Sequence, residues 1–89
     1  MNQTSDQLPA NALKLFLLYA KDAGNWSGQP MVGGNVWLLG AKEDRALLTW
    51  CKRAGLLTTF TDMGDGCSFI SFTDAGVALA AEHGIEVSR

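Results

Sequence analysis

Few side chains in this 89-residue sequence could make or break bonds. Its single histidine, His83, precedes Gly84 at the end of a helical pattern, where an imidazolium suits the negative end of the helix dipole; that structural role outweighs catalysis. Cys51 and Cys67 have no C-x-x-C spacing and share the chain with one histidine, so no zinc site assembles within one chain. They read as core or half-buried thiols, with no base whose position the sequence fixes. Gly33-Gly34 and Gly64-Asp65-Gly66 lack a following Gly-Lys-Ser/Thr, and loop and hairpin roles account for both. The expectation is therefore a protein that is not an enzyme and needs no cofactor or metal. The polar residues that do share a spacing are cations. Counting back from Gly55, Lys42, Arg45, Lys52 and Arg53 fall outward together with Ala46 and Thr49, while Asp44, Leu47, Leu48 and Cys51 fall inward.

The elements that must position this set follow from periodicity and turn residues. Two strand-like runs, 56–63 and 67–72, flank Gly64-Asp65-Gly66, which supplies the positive φ angles of a tight hairpin. On the second run Ser68, Ile70 and Phe72 share one face, and Cys67, Phe69 and Ser71 share the other. Ahead of the hairpin Ala54-Gly55 closes a helix over 42–54; behind it Thr73 offers an N-cap to a helix over 74–83 that Gly84 stops. That last helix carries Val77, Leu79, Ala80 and Ala81, a small-residue surface suited to packing on the first helix. Residues 1–7 are polar and expected to be frayed, with Ser5 or Asp6 as a cap before Leu8-Pro9. A first helix then runs to about Ala23, with Leu13, Phe16, Leu17 and Ala20 as its core stripe. Leu15, Leu18 and Tyr19 widen its apolar surface, which fits a central helix better than pairing with a second subunit. Residues 25–34 form a loop with room for a short strand over 30–32, and Trp26 is expected to be a lid over the core, the alternative being a partner anchor. Asn35 caps a brief helix over 36–39 that ends at Gly40. Glu43 and Asp44 suit the positive start of the next helix, and Trp37 and Trp50 can join the core edge or anchor an interface.

Helix, hairpin, helix, with the helix ending Ala54-Gly55-Leu56-Leu57 and the Phe72-Thr73-Asp74-Ala75-Gly76 entry to a last helix, resembles the winged helix-turn-helix family. Many bacterial and phage regulators of that type have an apolar residue, Thr, two variable residues and Gly at this place. The resemblance covers about residues 8–84. It implies an α+β domain of three to four helices with a small two- to three-stranded antiparallel sheet, Gly40-Ala41 as the turn, and 42–54 as the recognition helix; 85–89 is then a short tail. It also implies a DNA-binding transcription regulator, in which Arg45, Ala46 and Thr49 face bases and Lys42, Lys52 and Arg53 hold phosphates. Asp44 departs from the apolar residue usual on the inward side. The alternative is an ordinary solvated helix face.

Charge weighs against the DNA reading. The net charge is −2 and the isoelectric point about 5.1, whereas phosphate contacts usually require a basic excess. Between Leu56 and Phe72 there is no Lys or Arg, and Asp62 and Asp65 sit near the hairpin tip, so the wing is not expected to touch DNA. The helix then carries the contacts, and a homodimer is needed to double them. The second hypothesis is a winged-helix protein interaction module, an adaptor or inhibitor of phage or plasmid kind, presenting Asp62, Asp65, Phe69, Phe60 and Trp26 to a basic protein partner. With 47% hydrophobic and 18% charged residues the chain is one folded domain with a small core. No run reaches the roughly 18 apolar residues of a membrane span, and the N-terminus is unlike a signal peptide, so a cytoplasmic location without a membrane partner is expected.

Overall fold

The computed structural model describes residues 8–87 except 27 and 65. Its described part is α+β, with three α-helices and one two-stranded antiparallel sheet: α1 (Ala10–Asp22), α2 (Ala41–Arg53), β1 (Leu57–Thr61), β2 (Ser68–Phe72) and α3 (Asp74–Glu82). Among the described residues no helix is long and apolar enough to cross a membrane. The expected caps at Ser5 and Asp6 lie outside the described residues. Pro9 itself stands at the N-cap of α1, and its carbonyl accepts from Leu13 N–H at 3.1 Å to close the first turn.

α1 is central, as its wide apolar surface suggested. Its buried stripe, however, is Ala12, Leu15, Phe16, Tyr19 and Ala20, continued by Ala23 after the helix; Leu13 and Leu17 are only half-buried. The expected stripe is therefore turned by about one residue. Leucines stand on several sides of this helix, so hydropathy does not single out the inner side; closeness does. Ala12 lets α2 approach until the Cys51 thiol donates to the Ala12 carbonyl at 3.6 Å. Phe16 meets Phe72 edge to face at 5.7 Å, tying α1 to the sheet.

The hairpin forms where expected. Leu57 pairs with Phe72, Thr59 with Ile70 and Thr61 with Ser68 on the inner face, and Thr58 with Ser71 and Phe60 with Phe69 on the outer. Asp62 organises the turn: its N–H donates to the Cys67 carbonyl, its carbonyl accepts from Gly66 N–H at 2.7 Å, and Oδ1 accepts from Gly64 N–H at 2.8 Å. Gly66 takes the left-handed φ of 72°. The strand expected over 30–32 is reduced to one bridge, Met31 to Phe69, with Val32 N–H donating to the Ser68 carbonyl and Ile70 N–H to the Pro30 carbonyl.

Two glycine ends and one threonine fix the hairpin between helices. Gly55 has φ 78°; Gly55 N–H reaches the Lys52 carbonyl and Leu56 N–H the Cys51 carbonyl, the paired bonds of a left-handed helix stop. Thr73 Oγ1 accepts from Gly76 N–H at 3.0 Å and donates to the Gly55 carbonyl at 2.6 Å, while Thr73 N–H donates to the Leu56 carbonyl. A Cβ at Gly76 would overlap the Leu56 carbonyl oxygen, which is why Gly follows Thr at this spacing. α3 lies chiefly against β2, in place of the close seat on α1 that its small residues suggested; Ala75, Ala78 and Ala81 are exposed. Val87, beyond α3, is buried with the core.

Residues 36–39 form no helix, which corrects the sequence expectation. Asn35 does not cap; its side-chain amide donates to Asp22 Oδ1 at 3.2 Å. The N–H groups of Leu38 and Leu39 go to Asp44 Oδ2 and Oδ1, each at 2.9 Å, so the bonds that would propagate a turn are spent on a side chain. Tyr19 adds a third tie, its hydroxyl accepting from Gly33 N–H at 3.1 Å. Three α1 and α2 side chains thus hold a loop that lacks regular structure of its own.

Candidate nucleic-acid interface

Every residue expected on the outward face of α2 is exposed: Lys42, Arg45, Ala46, Thr49, Lys52 and Arg53. At 3.6 residues per turn these six project within an arc of about 120°, along about 16 Å of helix. Opposite them Asp44, Leu48 and Cys51 are buried and Leu47 is half-buried. Burial of Leu48 and Cys51 against α1 therefore sets the rotation of the helix, and Asp44 sets its start.

Details of this face restrict what it can do. Thr49 Oγ1 donates to the Arg45 carbonyl at 3.1 Å, so its hydroxyl is engaged within the helix and its methyl is the group left to a partner. Lys52 Nζ lies 3.5 Å from Thr59 Oγ1, which leans this cation toward β1. Of the two tryptophans that the sequence offers to the core edge or to an interface, Trp50 is 45% exposed and flanks the cationic arc on the side of Glu43, and Trp37 is 54% exposed. Beside the face, Tyr19, Val36, Trp37, Asp44, Arg45 and Leu48 border a cavity of about 240 Å³, below the roughly 300 to 1,000 Å³ of ordinary ligand sites.

Buried titratable groups support the helices. Burial pushes the Cys51 thiol from 9.0 up to about 11, partly offset by a backbone hydrogen bond. Burial likewise raises the Tyr19 phenol above 10.0, against the Gly33 N–H, with the negative charges of Asp44 and Asp22 adding to the rise. Sequence reasoning missed Asp22, which is buried and accepts from Trp26 Nε1 at 2.8 Å as well as from Asn35. Nothing in its local spacing marks it, since both donors lie in the following loop.

The residues of the alternative protein-binding set also come together, with one outside the described residues, Asp65. Trp26 is half-buried, and its ring meets Phe69 at 6.4 Å on the outer face of the hairpin, so it does not cover the core as expected. Phe60 stacks on Phe69 at 5.8 Å, and Asp62 and Gln29 complete an open depression with these rings. Gln29 is the member that sequence reasoning did not find. Comparisons with protein-family models, with curated proteins and with solved structures find no match for the chain.

Proposed function

We propose that the chain is a small winged-helix DNA-binding protein, a transcription regulator, that reads duplex DNA with α2. The observation that carries this reading is the exposure of all six outward residues, four of them cations, on one narrow helix face. Three helices and a two-stranded hairpin are compatible with a winged-helix layout, although 36–39 is irregular where a helix-turn-helix has a helix. Arg45 is the base reader, because its guanidinium can donate twice to one guanine. Ala46 and the Thr49 methyl, whose hydroxyl is engaged, suit a thymine methyl. Lys42 at one end and Lys52 and Arg53 at the other take phosphates.

The hairpin does not share the work. It holds no Lys or Arg, and Asp62 is exposed at its end, so its approach to a phosphate costs energy. A single helix offers few contacts, and two copies on two half-sites supply the remainder. Fluorescence anisotropy with pooled random duplex DNA at 50 and 200 mM salt tests the reading. Three phosphate contacts per subunit, from Lys42, Lys52 and Arg53, give a slope of about −2.7 in log affinity against log salt, which over that interval weakens binding about 40-fold. Affinity indifferent to salt would refute it.

A further inference from the structure

We propose that the outer face of the hairpin is a docking surface for an arginine-bearing segment of a partner protein, separate from the cationic face of α2. The surface consists of Trp26, Gln29, Phe60, Asp62 and Phe69 around an open depression. Phe60 and Phe69 are cross-strand partners stacked at 25°, and Trp26 stands against Phe69 at 64°, so ring faces and ring edges both border the depression. A pairing of this kind normally lies under a second layer; here Phe60 is 42% exposed. The pair steadies the hairpin, but the core occupies the opposite face through Leu57, Ile70 and Phe72, so the outer ring surface is left open to a partner.

Charge selects the occupant. Asp62 borders the depression and uses Oδ1 to hold Gly64 N–H, leaving its second oxygen for a donor from outside. No Lys or Arg occurs anywhere from residue 56 to 72. A cation entering here meets π faces and a carboxylate with no competing positive charge from the hairpin. Arginine suits both at once, since its plane stacks on an aromatic ring while its edge donates to a carboxylate. Gln29 can accept or donate to the backbone of an extended segment. A nucleic acid could use the rings for stacking, but its phosphates would meet Asp62.

The test is a titration without DNA, by NMR, of the whole chain with a capped heptapeptide of alternating glycine and arginine. A matched peptide carrying citrulline in place of arginine has nearly the same shape without the charge. The arginine peptide should shift the Trp26 indole N–H and the Phe60 ring while leaving the Trp37 and Trp50 indoles in place, and the citrulline peptide should not. Phe60→Ser should weaken binding roughly fivefold with charge unchanged. Asp62→Asn, whose amide oxygen still accepts from Gly64 N–H, should weaken it roughly twofold to fivefold. Both sites are exposed, so folding is expected to survive; the one-dimensional spectrum verifies it. Equal binding of the citrulline peptide, an unchanged affinity for Phe60→Ser, shifts dominated by Trp37 and Trp50, or shifts produced by single-stranded DNA or by self-association instead of the arginine peptide would each overturn the proposal.

Discussion

Replacing Asp44 by alanine should destabilise the protein by about 3 kcal/mol. The carboxylate is 5% exposed and accepts two backbone N–H groups, from Leu38 and Leu39, both at 2.9 Å. Hydrogen bonds to a charged group contribute about 1.5 to 3 kcal/mol each, so the pair is worth about 3 to 6 kcal/mol before compensation. Two effects reduce that figure. Burying a carboxylate is itself costly, and alanine relieves this cost; Leu39 is 53% exposed, so water can reach its freed N–H. About 3 kcal/mol is a large share of the roughly 4 to 13 kcal/mol expected for a chain of this length, and corresponds to about 12 to 24 °C in melting temperature. Asp44→Asn keeps one oxygen and should recover about half. Urea unfolding gives the stability, and amide exchange at Leu38 and Leu39 shows whether the loss is local. Alanine within about 0.5 kcal/mol of the parent, with exchange unchanged, would mean that the loop does not depend on this carboxylate.

The hairpin base should be equally sensitive. Thr73→Ala removes the N-cap and the bond to Gly55 and should cost about 1 to 2 kcal/mol by thermal unfolding, whereas Thr73→Ser should cost little. Gly76→Ala should cost more, at least about 2 kcal/mol, because the obstacle is the Leu56 carbonyl and not a flexible side chain. The Cys51 contribution to stability should be constant below pH 9 and fall as pH rises from 9.0 to about 11, since the unfolded chain releases the Cys51 proton first; the fall is about 3 kcal/mol, smaller in Cys51→Ala, with Tyr19 extending it above pH 10.0. Urea titrations in steps of pH check this. On the DNA reading, Arg45→Lys should lose about 1 to 3 kcal/mol for a selected guanine-containing site and almost nothing for random duplex, as competition anisotropy would show.

Turns and helix stops were the most legible part of this sequence. Gly55, Gly84, Thr73 and the Gly64 to Gly66 cluster act through local backbone geometry, which depends on few distant contacts. The α2 rotation was legible for a related reason: its cations and its Leu48 and Cys51 are separated cleanly by the helical period. What failed was decided by tertiary contact. α1 has leucine on several sides, so its inner stripe is set by how closely Ala12 lets α2 approach. The helix expected over 36–39 has a fair cap and stop, but Asp22 and Asp44 compete for the same polar groups from elsewhere in the chain. The loop composition around Trp26 suits a lid over the core or a partner anchor, and residue type does not decide between them. The actual neighbour of Trp26, Phe69, is reached only once Met31 bridges to β2. Of the alternative site, residue type alone points to Asp62, Phe69 and Trp26; the hairpin register sets Phe60 beside Phe69, and the loop bridged through Met31 brings Trp26 to them.

The most direct measurement compares the salt dependence of duplex DNA binding by the parent protein with that of a variant carrying alanine at Lys42, Arg45, Lys52 and Arg53. All four are exposed, so the variant should keep its fold, with circular dichroism as the check. A parental slope of about −2.7 per subunit that flattens toward zero in the variant is the expected result. Equal slopes and affinities for the two proteins, or no binding by the parent at low salt, would contradict α2 as a DNA-reading helix.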